Sequence, residues 1–473
     1  MNYDAILGLP NTKTFDDAGA TFNIHRRRML KVFPRGGCTL TGLLSMLKSE
    51  PVTDPTFTNY PLHWKFKRTT TRGTAPLTTT APSTGDANDG TGVGTATVAI
   101  ATTYYLKVAS TFDHVVGSIV QLGTAVGAPQ FRVKAITRGV SAAALLGYLT
   151  VAPIRAFAHT LAGYPTGLTL ELRGHSAGEG ASGSGWTNAG QRLPCTVVNN
   201  TQIFRHSKTF TGTALKQGTK YDETSSYKEQ MQELSLTHNL AIESQLYWGQ
   251  RSVRETTSQD SNQSDNLVYR TFGGIEEHLR LWDAGTTGLE VNGATYAPYS
   301  HKGETTSDDD FDKRMIANTA GTFSYSNFND WMERGFRFSS SPKNGDRMAF
   351  LGGGAMNAFN DMLRKTGNLN LSIGDEAYGF KFNTLHTQWG SLHFTDHPLF
   401  SENGSPDRYS MLILDPHALR LRPMVDRDTR IRASIQNPGD DFRRDEFHSE
   451  LGLEVLGVES MLWVKNLQQF ILD

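Results

Sequence analysis

The sequence predicts a mixed α+β fold divided among more than one packed unit. Three observations carry that expectation: one long amphipathic helix stands alone at 225–248, short apolar runs of strand length separated by glycine flank it on both sides, and neither a βαβ alternation nor a fixed-period repeat organises them. With 473 residues the chain is too long for one ordinary core and suits two or three.

Composition narrows the class. Hydrophobic residues make up 38% and glycine contributes 46 positions, an ordinary globular balance. Lys+Arg 46 against Asp+Glu 47 leaves a formal net charge of -1, which argues against a protein whose main task is gripping nucleic acid. Two cysteines, Cys38 and Cys195, cannot build a disulfide framework and fit a reducing compartment. The opening residues lack the basic-then-apolar pattern of a signal peptide. The longest apolar stretch, around 142–154, holds Gly147 and Pro153 and is too short to span a bilayer. Membrane, secreted-scaffold and histone-like readings fall away.

Residues 1–34 read as an arm, with short apolar bits, glycines and a basic knot at Arg26, Arg27 and Arg28, but no period long enough to bury a face. One or two helical turns follow at 40–47, and Pro51, Pro55 and Pro61 then force extended chain. From 69 to 103 threonine, glycine, alanine and serine dominate, and the run reads as a long flexible loop. It leads into strand-like pieces at 98–101, 105–108, 115–122, 131–137 and 168–172, a small β-domain on stalks closed by a Gly/Ser stretch at 174–190.

The helix at 225–248 has the most regular pattern. Tyr227, Met231, Leu234, His238, Ala241 and Gln245 or Leu246 form one stripe; Ser226 and Glu229 have capping-box spacing, and Gly249 sits where a C′ residue belongs. It would run roughly 36 Å, long enough to cross a flat domain as a spine. Shorter helices are expected at 274–282, 325–334 and 355–365, and strands at 347–351, 386–394, 409–414 and 419–422. Over 450–464, Leu451, Leu453 and Val455 alternate inward before a turn at Gly457 and a second strand.

No enzyme constellation stands out. Gly174-His175-Ser176-Ala177-Gly178 has the G-x-S-x-G spacing of a serine hydrolase, but that elbow needs a helix after the serine and the next residues are glycine and serine. Gly352-Gly353-Gly354 joins a strand to a helix without the Lys-Ser/Thr of a phosphate loop, and reads as a tight turn. The acidic run at 308–312 lacks the spacing of a calcium loop, and neither cysteine has a partner at zinc spacing, so no metal or cofactor is expected. The C-terminal region does carry dense alternating charge, including Arg427, Arg430, Arg432, Asp440, Asp441, Arg443 and Arg444. Such arginine-rich networks suit interfaces between copies.

The chain resembles tailed-bacteriophage major capsid proteins of the Hong Kong 97-like fold. The resemblance rests on TGLLSMLKSEPVTDPTF at 41–57, VNNTQIFR at 198–205, the helix ending in YWGQ at 247–250, RTFGGI at 270–275, LDPHALRLRP at 414–423 and RDEFHSELGLEV at 444–455. It implies an N-terminal arm and lead-in at 1–64, an extended loop at 65–204 enlarged by an inserted β-domain at about 94–173, and a peripheral domain at 205–270 with its spine helix at 225–248. An axial domain at 271–414 and return strands at 415–473 complete the implied order. It further implies self-assembly into pentamers and hexamers of an icosahedral or prolate head around double-stranded DNA bound without sequence specificity. Portal, minor capsid or decoration proteins and a scaffold would be partners, with assembly in the host bacterial cytoplasm and residence in the virion. Expected contacts between copies are Arg26, Arg27, Arg28, Arg427, Arg430, Arg432, Asp440, Asp441, Arg443 and Arg444. The alternatives are an encapsulin-like nanocompartment, a serine esterase using Ser176, and a β-rich binding module.

Overall fold

A computed structural model of the chain describes residues 39–472 apart from 47–48, 62–67, 72–76, 82–96, 101, 109–110, 112–113, 138–146, 159–166, 180–193, 217–225, 256–266, 285–287, 300–314, 340–344, 367–370, 378–379 and 402–403. The architecture is mixed α+β. Arg26, Arg27, Arg28, Cys38 and the acidic run at 308–312 lie outside the described residues.

The centre is a seven-stranded mixed sheet in the order Ile316–Asn318, Leu462–Lys465, Met411–Leu414, Asp346–Leu351, Ser391–Asp396, Phe380–His386, Leu371–Ala377. Its middle strands are unbroken apolar runs because both faces are covered. Met348, Phe350, Leu412, Leu414 and Trp463 point into one hydrophobic cluster, while their neighbours Ala349, Leu351, Met411, Ile413, Leu462 and Val464 point into another. Helices Tyr325–Arg337 and Gly353–Thr366 close the second cluster through Phe328, Trp331, Met332, Phe359 and Met362.

The first cluster continues beneath the long helix Ser226–Trp248 and a four-stranded antiparallel sheet. In that sheet the 14-residue strand Phe442–Val455 pairs along one edge with Gln202–Thr211 and along the other with Leu419–Pro423 and Arg430–Arg432. The expected stripe holds at Leu234, His238 and Leu246, but the C-terminal half of the helix is enclosed more widely and also buries Ile242, Glu243 and Tyr247. Glu243 is used as a cap for another element. Its carboxylate accepts the backbone N–H groups of Leu40 (2.8 Å) and Thr41 (2.7 Å), at the N-terminus of helix Thr39–Met46, and contacts Nε2 of buried His397 at 2.9 Å.

Gly249 does end the helix, but not through a left-handed backbone, since its φ is not among the positive ones. A Cβ there would sit 2.4 Å from the carbonyl of Gln245 and 2.7 Å from that of Phe272; the site is glycine because two backbones meet, with Gly274 N–H bonded to Gly249 O at 2.8 Å.

A second seven-stranded sheet, wholly antiparallel, runs Arg68–Thr70, Thr169–His175, Ser118–Leu122, Gln130–Thr137, Tyr148–Pro153, Tyr104–Lys107, Leu77–Thr78. A further bridge between Thr71 and Val108 ties its first strand to its sixth and closes it into a small barrel around Leu106, Val120, Phe131, Val133, Leu149, Val151 and Leu170.

Several expectations need correction. The threonine-rich run is not all loop: Arg68–Thr70 and Leu77–Thr78 are strands, because β-branched threonines complete a ladder once partners exist. The apolar stretch near 142–154 contains the barrel strand Tyr148–Pro153, with Pro153 as its last residue. The single strand expected at 386–394 is a hairpin whose turn at 387–390 is organised by the Thr387 hydroxyl. The last long strand begins at Phe442, not near 450, and the strand after Gly457 leaves for the central sheet.

Candidate assembly surfaces

Strand Phe442–Val455 presents two chemically different faces because side chains alternate along it. Asp445, Phe447, Ser449, Leu451 and Leu453 turn towards the long helix and the first cluster. Glu446, His448, Glu450 and Glu454 occupy the alternate positions, all buried. Over them lie guanidinium groups from four segments. Arg205 grips Glu446 with both ends of its fork, Nε to Oε1 at 3.1 Å and Nη2 to Oε2 at 2.7 Å, and Arg432 approaches the same carboxylate at 3.9 Å. Arg427 pairs with Glu450, and its Nη2 lies 3.3 Å from His448 Nε2. Arg422 holds Glu454 at 2.7 Å and Glu50 at 2.8 Å, and Arg420 holds Glu50 at 2.6 Å.

The layering has a direction. The Glu446 side chain is 2% exposed and its partner Arg205 is 58% exposed, so carboxylates are recessed and guanidiniums presented. Burial works to raise the Glu446 carboxyl, but the hydrogen bond and charge of Arg205, with the charge of Arg432, outweigh it and hold the group below its ordinary value. His448 is pushed down, first by burial and then by the charges of Arg432 and Arg427.

At the start of the strand, Asp445 receives the Tyr227 hydroxyl at 2.5 Å, the Ser434 N–H at 2.7 Å and Arg443 Nε at 3.0 Å. Burial again opposes ionisation, and these donors overcome it, leaving Asp445 below the usual carboxylate range. Arg443 also lies over the Tyr227 ring at 4.8 Å.

The residues expected to meet other copies therefore divide. Arg427, Arg432 and Arg443 engage carboxylates within the chain, while Arg430, Arg444, Asp440 and Asp441 stand exposed around them. Sequence reasoning missed the parts played by Arg205, Tyr227 and Glu450. The signal was the period-two spacing of 446, 448 and 450, hidden because the segment read as a charge run instead of a strand.

The motifs with catalytic overtones resolve otherwise. Ser176 follows the barrel strand Thr169–His175; its carbonyl accepts Nε and Nη2 of Arg132, each at 3.2 Å, and no helix begins among the described residues directly after it, 177–179. Gly352 is a point of close backbone approach, where a Cβ would lie 2.4 Å from the Arg408 carbonyl, and Ser401 Oγ accepts the Gly353 N–H at 3.0 Å. Among the described residues no group of three or more His, Cys, Asp or Glu could hold a metal ion, and no helix is long and apolar enough to cross a membrane.

The sequence pattern of the SU10 major capsid protein family matches residues 19–468. No curated protein matches the chain. Among solved structures, the capsid asymmetric unit of cyanophage A-1(L) is 13% identical, with 62% of this chain and 85% of that chain covered at a TM-score of 0.38. A chain of Mycobacterium phage Bobi is 7% identical with 98% of each chain covered at 0.37, and the SrpI encapsulin of Synechococcus elongatus is 9% identical with 60% and 79% covered at 0.36. Structural likenesses this low carry no weight for function.

Proposed function

Because this chain belongs to the SU10 major capsid protein family and is a subunit of a capsid shell, we propose that it joins copies of itself as the pentamers and hexamers of a tailed-bacteriophage head. The family match over residues 19–468 carries the reading. Under it the architecture is Hong Kong 97-like: 1–64 is arm and lead-in, 65–204 the extended loop with its β-domain at about 94–173, 205–270 the peripheral domain with spine helix 225–248, 271–414 the axial domain, and 415–473 the return strands. The shell encloses double-stranded DNA without reading its sequence and takes portal, minor capsid or decoration proteins and a scaffold as partners. It forms in the host bacterial cytoplasm, remains in the virion and performs no catalysis.

The contacts between copies lie at Arg26, Arg27 and Arg28 in the arm and at Arg427, Arg430, Arg432, Asp440, Asp441, Arg443 and Arg444. What supports the second group is the presented guanidinium layer. Buried carboxylates fix Arg427 and Arg432 from beneath, with Arg430, Arg444, Asp440 and Asp441 exposed beside them, so a neighbouring acidic or aromatic surface meets guanidinium groups whose freedom is already spent. The mixed sign of the exposed residues favours a protein partner over a polyanion.

Sedimentation velocity and negative-stain microscopy of the purified full-length protein test the reading: megadalton closed particles or capsomers are expected, and a monodisperse monomer at high concentration overturns it. Arg430→Glu combined with Arg444→Glu should reduce assembly while leaving the urea midpoint of the subunit unchanged, since both side chains are exposed.

A further inference from the structure

Between the long helix and the four-stranded sheet lies a line of polar side chains on the face opposite the arginine layer. His238, on the buried face of the helix, places Nδ1 2.9 Å from Nδ1 of His206 on strand Gln202–Thr211 and Nε2 2.7 Å from Ser449 Oγ on strand Phe442–Val455. Ser449 Oγ in turn shares a hydrogen bond with Thr429 Oγ1 at 2.8 Å. His238 is fully buried, edge-on to Phe204 and tilted against Phe447.

Two proton arrangements satisfy this line: with Ser449 donating to Thr429, Ser449 accepts from His238 Nε2–H and His238 Nδ1 accepts from His206 Nδ1–H; with both hydroxyls turned about, every donor along the line reverses. One proton, and only one, fits between two ring nitrogens 2.9 Å apart. A proton on Nε2 of half-buried His206 leaves this bond in place. In either arrangement, protonation of His238 as well as His206 sets two Nδ1–H donors against each other in a pocket walled by phenylalanine, with two like charges and no counter-ion.

The remaining charged groups nearby do not supply one. Lys208 on the neighbouring strand pairs with Glu233 at 3.1 Å, Asp445 is occupied by Tyr227, Ser434 and Arg443, and His448 faces the opposite side of its strand towards Arg427. Among the described residues no carboxylate is hydrogen-bonded to His206 or His238.

We propose that His206 and His238 form an acid-sensitive joint, and that protonation of His238 frees the N-terminal half of helix Ser226–Trp248 from the sheet. The C-terminal half stays seated because Glu243, Tyr247 and Leu246 hold it from other directions. Burial first, and then the charges of His206 and His448, push His238 down to about 4, which places the opening on the acid side of neutrality. The sign follows: the folded joint binds fewer protons than the open one, so its stability is complete above about 6.5 and is lost as pH falls towards about 4. The device rests on local geometry and does not depend on shell formation.

Hydrogen–deuterium exchange of the full-length protein from pH 7.5 to 4, corrected for intrinsic exchange chemistry, reads it directly. Peptides from 226–238 should lose protection on acidification by up to about 300-fold, the span between an ordinary imidazole at 6.5 and a group at about 4. Barrel peptides from 104–175 should not follow. His238→Gln, which keeps a donor and an acceptor but cannot titrate, should abolish the loss. If that variant does not fold, His206→Gln should shrink it, because an amide oxygen can accept from a protonated His238. Unchanged protection of 226–238 down to pH 4, or an undiminished loss in whichever variant folds, would overturn the proposal.

Discussion

The two seven-stranded sheets contain the same number of strands and depend on the chain in opposite ways. The central sheet collects strands from Ile316–Asn318 to Leu462–Lys465, has both faces of its middle strands buried and joins two hydrophobic clusters. The barrel draws on one stretch between Arg68 and His175 and keeps a single interior. Its outer surface is a polar weave in which Arg173 meets Glu171 and Gln121, and Arg132 meets the Ser176 carbonyl. A sheet covered on both sides fails together with everything it covers, whereas a contiguous barrel can open alone.

The largest expected effect tests the first half of that contrast. Trp463 is fully buried in the central sheet, stacked at 5.9 Å on Phe400. Trp463→Ala should cost about 3–5 kcal/mol. Urea unfolding should show the loss in the main transition, and exchange protection should fall in helices packed on either face. Phe131→Ala in the barrel removes a comparable ring, packed edge-on against Phe157 at 5.5 Å. Its cost should be of similar order, about 3–5 kcal/mol, yet confined. Protection should collapse within 104–175 while the main transition keeps its midpoint. A shared collapse in both variants would show that barrel and body are one cooperative unit.

How far the sequence showed this difference depended on where each strand finds its partner. Arg347–Leu351 and Leu451–Val455 are readable because their apolar pattern is complete within the segment. The long helix is readable for the same reason, although Glu243 and Tyr247 became buried through Leu40, Thr41 and His397, which lie far away in sequence. Arg68–Thr70 and Leu77–Thr78 carry almost no pattern; only Thr169–Glu171 and Tyr105–Leu106 make them strands. The surface followed the same rule. Arg430, Arg432 and Arg443 could be picked out as a cluster, but the fork between Arg205 and Glu446 joins residues 241 positions apart. No local spacing signals such a pair.

Acid should separate the two regions next. His278 lies in the body, almost fully buried, with Nε2 3.4 Å from the Asn199 amide nitrogen, whose two hydrogens go to the carbonyls of Leu453 (2.7 Å) and Gly273 (3.0 Å). Burial first, then the charge of Arg251, push it down to about 4. The folded state therefore binds fewer protons, and stability present above about 6.5 is lost as pH falls towards about 4, with a slope of up to about 1.4 kcal/mol per pH unit. Urea midpoints of the main transition measured across that window should fall, and His278→Gln should flatten the curve.

A smaller effect is expected on the arginine layer, and its asymmetry is informative. Arg205→Met strips the fork from a carboxylate that stays buried, leaving it only the distant Arg432, and should cost about 1–2 kcal/mol. Glu446→Gln instead leaves a guanidinium that can turn to water, and should cost less, under about 1 kcal/mol. Equal costs in urea unfolding would mean that the carboxylate is not the constrained partner.

The smallest effect is expected at the residue with the most conspicuous motif. Ser176 is held through its backbone: its N–H donates to Gly117 O at 2.9 Å, and its carbonyl receives Arg132. The adjacent His175 places Nε2 3.0 Å from the Val116 carbonyl, and the Ser176 hydroxyl enters none of these bonds. Removing that hydroxyl thus touches nothing that holds the barrel edge, and Ser176→Ala should change stability by less than about 0.5 kcal/mol. The same variant and the parent should be equally inert towards p-nitrophenyl esters. Turnover that disappears with the hydroxyl would place chemistry on the barrel and give the two sheets different functions as well as different cores.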